Sequence, residues 1–284
     1  MTGDGVNDAP SLKIADIGCS MGIVGTDVAK EASDVVLTDD NFATVVSSVE
    51  EGRRIYDNIL KSIQFLLGSN IGEIIMIFSA IMLMPIFAKI FGIEIGIIET
   101  LLPIHILWVN LVTDAFPALA LSVDPPAEDI MQRKPLKHTK GIFTKGMSMR
   151  VIYQGIMIGV LTLIAYIVGL GTEGVDPETK VRMGQTMAFF VLALSQLVHV
   201  FNVRDNKKSI FKTGILNNKK LLLACAASAG LMFIILFIPS LRDIFRLELL
   251  PLDHVLEVVA LVLAPIVIVE FFKLFKVNTT KEEV

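Results

Sequence analysis

Six long apolar runs constrain this chain more than any other feature. They lie at about residues 58–84, 99–122, 148–170, 183–203, 220–239 and 252–275. A hydrocarbon core about 30 Å thick is crossed by about 20 helical residues, so each run is long enough to span it. Inside lipid every backbone N–H and C=O must be paired within the protein, which leaves helices or closed barrels. The runs are continuous rather than alternating, which selects helices. Hydrophobic residues make up 53% of the 284. Mean hydropathy is +0.67. The excess over a soluble domain sits in these runs. The predicted fold is therefore mainly α, a polytopic membrane bundle of six spans. Pro85 is expected to close the first span, Gly169, Gly171 and Gly174 the third, and Pro239 the fifth.

Lys and Arg in the connecting loops set orientation. The loop after the second span carries Arg133, Lys134, Lys137, Lys140, Lys145 and Arg150. The loop after the fourth carries Arg204, Lys207, Lys208, Lys212, Lys219 and Lys220. The opposite side has only Lys89, Lys180, Arg182, Arg242 and Arg246. The basic loops are predicted to be cytoplasmic. Six spans then put both termini on that side, including a tail, 276–284, with Lys276 and Lys281. For a bacterial chain the membrane would be the plasma membrane. Cys19 and Cys225 are too few and too differently placed for a disulfide framework. No signal peptide precedes the first polar stretch. His105, His138, His199 and His254 show no ligand spacing, and packing is the expectation for each. Glu270 and Lys273 are expected to pair near the end of the last span. Nothing in the charge pattern calls for a nucleic-acid partner. Anionic lipid is a conceivable contact for the basic loop 204–220.

Residues 1–45 are polar enough to be soluble and read as the end of an α/β domain. Ile17 to Ser20 and Val35 to Leu37 are short strand-like runs, with a helix from Thr26 to Ala32 between them, capped by Thr26 or Asp27. Asp39, Asp40 and Asn41 offer an N-cap, and from about Phe42 a helical pattern runs unbroken into the first span. Residues 46–57 form its stalk, and one long helix is expected to leave the soluble part and enter the membrane.

The chain opens MTGDGVNDAPSL. Gly3 and Gly5 allow a tight turn beside a ligand. Asp4 then presents a hard oxygen, and magnesium takes one or two carboxylates plus phosphate oxygens and waters. Asn7 is placed to hydrogen-bond phosphate, with Asp8 holding Asn7 or a water. Pro10 suits the first turn of a following helix. An Asp/Asn/Gly cluster alone is more often simply a turn.

Two spans carry polar groups at mid-length. Asn70 and Glu73 are three apart and share a helical face, as do Asn110, Thr113 and Asp114. A carboxylate near mid-membrane costs about 2.5–3.5 kcal/mol on insertion scales. Two of them on adjacent spans call for cations, protons or polar partners. All five side chains offer oxygen, the donor a hard cation such as calcium prefers. An interhelical hydrogen-bond network is the plainer alternative.

The string TGDGVNDAPSLK, followed by ADIGCSMGIVGTDVAKEASDVVLTDDNF, resembles the hinge motif and the rest of the phosphorylation domain of P-type ATPases, a haloacid-dehalogenase-like α/β fold. SNIGE (69–73), WVNLVTD (108–114) and DPPAEDIMQRKP (124–135) resemble the fifth and sixth spans and the following loop of calcium pumps of the sarcoplasmic-reticulum class. The resemblance runs over essentially the whole chain, with its motifs dense in residues 1–135.

The resemblance implies a role for each motif. Asp4 becomes a magnesium ligand, with Asn7 and Asp8 supporting phosphoryl transfer. Asn110 and Asp114 belong to a calcium site completed by a fourth span that is absent from this sequence. Asn70, Glu73, Thr113 and Asp114 belong to a second site. The family's eighth-span Glu falls on Gln196, a neutral amide, so a single calcium per cycle or a weaker second site is expected. Ala115 stands where a Gly commonly lets the sixth span unwind, while Pro117 still disrupts the ladder. The implied function is part of an ATP-driven pump that exports calcium from the cytoplasm in exchange for protons taken up by Glu73 and Asp114. Its cofactor is magnesium, with ATP used by the intact pump only. No DKTGT occurs in the sequence, so this polypeptide alone is expected neither to hydrolyse ATP nor to pump. It would be a truncated frame, a pseudogene product, or one half of a split pump whose partner is the missing N-terminal part. The rival readings are a non-enzymatic cation-binding membrane module or pump-associated subunit, and a pump for manganese or sodium.

Overall fold

The computed structural model describes residues 1–135, 142–206 and 208–274. The tail 276–284, with Phe275, His138, Lys137, Lys140 and Lys207, lies outside those residues. The chain divides into two units. The first is Met1–Tyr56 with Pro126–Lys134, the second Asp57–Pro125 with Pro135–Val284.

The first unit is a small parallel α/β piece. Strands β1 (Thr2–Gly3), β2 (Cys19–Met21) and β3 (Val35–Leu37) pair in that order. Thr2 sits opposite Cys19, and Cys19 opposite Val35. Helix α1 (Ala9–Ile14) makes the first crossover and α2 (Asp27–Ala32) the second. Each helix starts where its sequence says it should. Pro10 occupies the first turn of α1. The Thr26 hydroxyl accepts from the Ala29 N–H at the start of α2. Leu12, Ala29 and Leu37 close a small core under the sheet.

Helix α3 runs from Phe42 to Phe91 without interruption, with the Asn41 side chain accepting from the Ala43 N–H at its start. Pro85 does not close it. The proline removes one N–H from the ladder, and the helix passes through to Phe91. A kink's worth of lost bonding, about 3 kcal/mol, is smaller than the cost of several unpaired backbone groups in hydrocarbon.

The second unit holds the other spans. The second is not a single regular helix. It begins as α4 (Pro103–Trp108), widens into a π turn (Val109–Thr113) and resumes as α5 (Ala115–Ser122). Helices α6 (Lys145–Leu170) and α7 (Pro177–Val203) follow, then the short α8 (Ile210–Thr213). Helix α9 (Lys219–Phe237) leads through α10 (Pro239–Ile244) to α11 (Leu252–Leu274). With α3, and with α4, the π turn and α5 taken as one, six helices among the described residues are long and apolar enough to cross a membrane. α6 ends at Gly171, and Pro239 opens α10 rather than extending α9.

Helix α7 is the central post, buried along most of its length and packed against α6 and α11. α3 meets α6 through glycines. A Cβ on Gly159 would stand 2.9 Å from the Gly72 carbonyl oxygen, and one on Gly72 would stand 2.9 Å from Ile158 Cγ2. Gly68 and Gly72 face Gly155 and Gly159 at the four-residue spacing that brings membrane helices close. Glu73 therefore sits on a stretch of α3 pressed tightly against its neighbour.

His105 and His254 are packing groups. His105 Nε2 meets the Phe245 carbonyl at 2.7 Å, and its Nδ1 accepts from the Leu102 N–H. His254 lies between Thr172 and Glu257. Lys273 pairs with Glu270 at 3.1 Å, and both are more enclosed than a pair at a lipid interface, Lys273 donating also to the Asn202 and Lys208 carbonyls.

Candidate functional site

The opening turn is built from backbone amides gathered by carboxylates. Asp8 Oδ2 accepts from the Asp4 and Gly5 N–H groups at 3.1 and 3.0 Å. Asp8 thus holds the loop itself. Gly3 is required at its position, since a Cβ there would lie 2.6 Å from Asp8 Cβ. Asn7 is exposed. Across a shallow cleft lined by Thr2, Gly3, Asp4, Met21, Val24, Asp40 and Phe42, Asp40 performs a matching task. Its carboxylate accepts from the Gly22, Ile23 and Val24 N–H groups at 2.6–3.0 Å. Those amides, Ile23 foremost, hold the Asp40 carboxyl below its ordinary value. The Thr44 hydroxyl does the same for Asp39. Among the described residues nothing hydrogen-bonds to the Asp4 carboxylate. One unengaged, exposed carboxylate on a Gly-rich turn at the strand ends is a donor set that fits magnesium, which completes its shell with water and phosphate.

The membrane site is assembled by α3 and the π turn. Pro117 has no N–H for the Thr113 carbonyl, so the regular ladder cannot continue through this segment. The Asp114 N–H instead reaches back five residues to the Val109 carbonyl at 2.9 Å. The expected regular helical face of Asn110, Thr113 and Asp114 is thus replaced by a π turn, a deformation that recurs at functional sites. Thr113 and Asp114 are buried, 0% and 1% exposed, and Glu73 is 5% exposed. Asn110 Nδ2 donates to Glu73 Oε2 at 3.0 Å and to the Ile106 carbonyl at 3.1 Å. The Glu73 carboxylate lies close enough to Asp114 for their charges to interact.

Five buried side-chain oxygens here have no hydrogen-bond partner among the described residues. They are Ser69 Oγ, Glu73 Oε1, Thr113 Oγ1 and both oxygens of Asp114. Buried polar atoms are almost always paired, and a buried carboxylate left without partners is costly. Such a set fits a hard cation, which binds six to eight oxygens when it is calcium. No group of three His, Cys, Asp or Glu residues comes together among the described residues, which speaks against a zinc-type site.

The other sequence candidates stand apart. Asn70 is exposed although Glu73, one turn on, is buried. Gln196 is fully buried on α7 with both amide atoms unpartnered, and α7 packs against the π turn, yet no hydrogen bond joins Gln196 to Glu73 or Asp114. Ser69 was missed. It lies four residues before Glu73, the spacing that puts both on one helical face, so its position carried the signal. Trp108, the only tryptophan, precedes the π turn and packs edge-on to Phe245 at 5.4 Å, with its indole N–H buried and unpartnered.

Comparisons with known proteins identify the family. The family model described as "Cation transporting ATPase, C-terminus" matches residues 98–275. The chain is 49% identical over 290 residues to "Calcium-transporting ATPase 1" of Bacillus cereus, covering 98% of this chain and 31% of that protein. It is 47% identical to "Calcium-transporting ATPase" of Bacillus subtilis, covering 87% and 26%. It is 36% identical to "Calcium-transporting ATPase 4, endoplasmic reticulum-type" of Arabidopsis thaliana, covering 96% and 29%. The chain thus spans less than a third of the length of these relatives. The family model covers more than half of the chain, and the chain belongs to the family of cation-transporting ATPase C-terminal regions, the membrane-helix part of P-type ATPases.

Proposed function

We propose that this chain supplies the membrane cation site and the magnesium-binding turn of an ATP-driven calcium pump. The observation that carries the reading is the set of unpartnered buried oxygens on α3 and the π turn, with Glu73 and Asp114 supplying two negative charges. Two carboxylates balance one divalent ion, which favours calcium or manganese over sodium. The relatives' names, calcium-transporting ATPases, support calcium.

In this reading calcium is the cargo. Glu73, Thr113, Asp114 and Asn110 bind it from the buried side, and Asn70 contributes from the exposed flank of α3. Gln196 adds a neutral oxygen from α7. When calcium leaves, the two carboxylates face each other in low dielectric, where both cannot stay charged without a cation. Proton uptake by Glu73 and Asp114 meets that need and makes calcium export a counter-transport.

At the opening turn, Asp4 would hold magnesium, which neutralises phosphate charge during phosphoryl transfer. Asp8 keeps the turn closed around Asp4 by binding its N–H and that of Gly5. Asn7, exposed beside it, is free to donate to phosphate. No DKTGT occurs in these residues, and in this reading ATP is used by the intact pump. The excess of Lys and Arg in the loops after the second and fourth spans supports cytoplasmic termini. For a bacterial chain the membrane is the plasma membrane.

Trp108 provides the test. Its emission, recorded on the purified chain in detergent, is titrated with calcium, manganese, magnesium and sodium. The reading expects a saturable change with calcium at a lower concentration than with the other ions. A change of equal midpoint for all four, or none with calcium, overturns it.

A further inference from the structure

Asp124 follows α5 directly, and its carboxylate is 3% exposed. Three cationic or amide donors converge on it. Lys61 Nζ lies 2.9 Å from Oδ2, while Arg204 Nε at 3.0 Å and Asn218 Nδ2 at 2.9 Å meet Oδ1. Its backbone carbonyl also accepts from Asn58 Nδ2 at 2.8 Å. The three donors to the carboxylate come from different segments. Lys61 and Asn58 are on α3, Arg204 ends α7, and Asn218 caps α9 by accepting from the Leu221 N–H. Arg204 also donates to the Gly214 carbonyl, so the loop between α7 and α9 is drawn in.

We propose that Asp124 is a positioning residue for the membrane cation site. It fixes the register of α3 against α5, and hence of Glu73 against Asp114. The proposal rests on the calcium reading above. Lys61 and Glu73 share one continuous helix, about 18 Å apart at 1.5 Å per residue, and Asp124 and Asp114 bracket α5, about 15 Å apart. The Ser62 hydroxyl donates to the Ala118 carbonyl at 3.1 Å, a further tie between α3 and α5 on the side of the node that faces the site. A slip at the node therefore arrives at the carboxylate pair, because helices transmit axial shifts with little loss. The node is a strong anchor for a physical reason. Removing a partner from a buried ion pair leaves an uncompensated charge in low dielectric, which ordinarily costs several kcal/mol. None of its members supplies an oxygen to the cation site.

Two variants test this. Asp124→Asn leaves Lys61 and Arg204 without a carboxylate and is the severe one. Lys61→Gln removes one of two cations, leaves the Asp124–Arg204 pair balanced, and is expected to fold. Trp108 emission of the calcium-free protein and its calcium midpoint are read together with the melting temperature. The expected result for Lys61→Gln is a shifted calcium-free Trp108 spectrum and a calcium midpoint raised about tenfold, with the melting temperature little changed and Lys61→Arg restoring both. A Lys61→Gln protein with the wild-type spectrum and midpoint overturns the proposal, as does Asp124→Asn that melts lower yet binds calcium like wild type. If wild type shows no calcium response, the calcium reading fails. The calcium-free Trp108 spectrum of Lys61→Gln still decides whether the node positions the π turn.

Discussion

Asn110 Nδ2 donates to Glu73 Oε2 at 3.0 Å, and this bond joins the π turn to α3. It occupies one oxygen of Glu73 and leaves the other, with both oxygens of Asp114, unpartnered. The amide therefore aims the carboxylate while the remaining oxygens stay available to a cation. Asn110→Ala removes the aim and leaves a further buried oxygen without a donor. Hydrogen bonds to charged groups contribute about 1.5–3 kcal/mol, so calcium affinity is expected to fall about tenfold or more. The Trp108 titration measures it, and an unchanged midpoint counts against the aiming role.

Pro117 offers no N–H to Thr113, the last residue of the π turn. Pro117→Ala restores the donor and lets the segment relax into a regular α-helix, which rotates Asn110 and Thr113 relative to Asp114. Calcium affinity is expected to drop about tenfold, while helical stability holds or rises because a missing ladder bond is regained. Circular-dichroism melting paired with the calcium titration separates the two effects. Full retention of calcium binding would show that the π turn is incidental to the site.

Gly159 lets α6 approach α3 beside Glu73. A Cβ there meets a backbone carbonyl at 2.9 Å, and a carbonyl cannot swing aside as a side chain can. Gly159→Val is expected to destabilise the bundle by about 1–3 kcal/mol through overpacking. The drop is read from thermal melting in detergent. Gly230, whose added Cβ would meet nothing within 4 Å, is the control: Gly230→Ala should melt at or above the wild-type temperature.

Asp40 gives the first unit a pH dependence. Its folded-state carboxyl is held below the ordinary value of 3.8, first by the Ile23 N–H and then by those of Val24 and Gly22. A depressed carboxyl contributes stability above its unfolded value and loses that contribution as pH falls through the folded value. The amide resonances of Gly22, Ile23 and Val24 should therefore shift with a midpoint below 3.8. A midpoint at or above that value contradicts the arrangement, and Asp40→Ala should abolish the transition.

The spans were legible because lipid imposes one rule on every residue within it, and length plus apolarity express that rule directly. Six runs in the sequence correspond to six long apolar helices. The cap at Thr26, the start of α3 at Asn41 and Phe42 and the end of α6 at Gly171 were equally local and equally readable. Pro85 misled because proline's effect depends on its surroundings, and a long helix in lipid carries one missing bond. The π turn was hidden for a related reason. Pro117 was visible, but whether a missing donor is met by a kink, an unwound stretch or a wider turn is decided by packing from α7 and α9. Ser228 on α9, for example, donates to the Val112 carbonyl inside that turn. Asp124 was invisible as a node. It lies in a Pro-rich stretch that reads as loop, and its partners Lys61, Arg204 and Asn218 are 63, 80 and 94 residues away in sequence. Long-range convergence of that kind leaves no local pattern.

The most direct test of the central claim is calcium binding to the purified chain in detergent, by titration calorimetry, for wild type against Asp114→Asn. Asp114 is buried, with neither carboxylate oxygen partnered among the described residues. The account predicts saturable binding by wild type and an affinity at least about tenfold lower, a loss of about 1.4 kcal/mol, in the variant. Equal binding by the two proteins, or no binding by wild type, would contradict it.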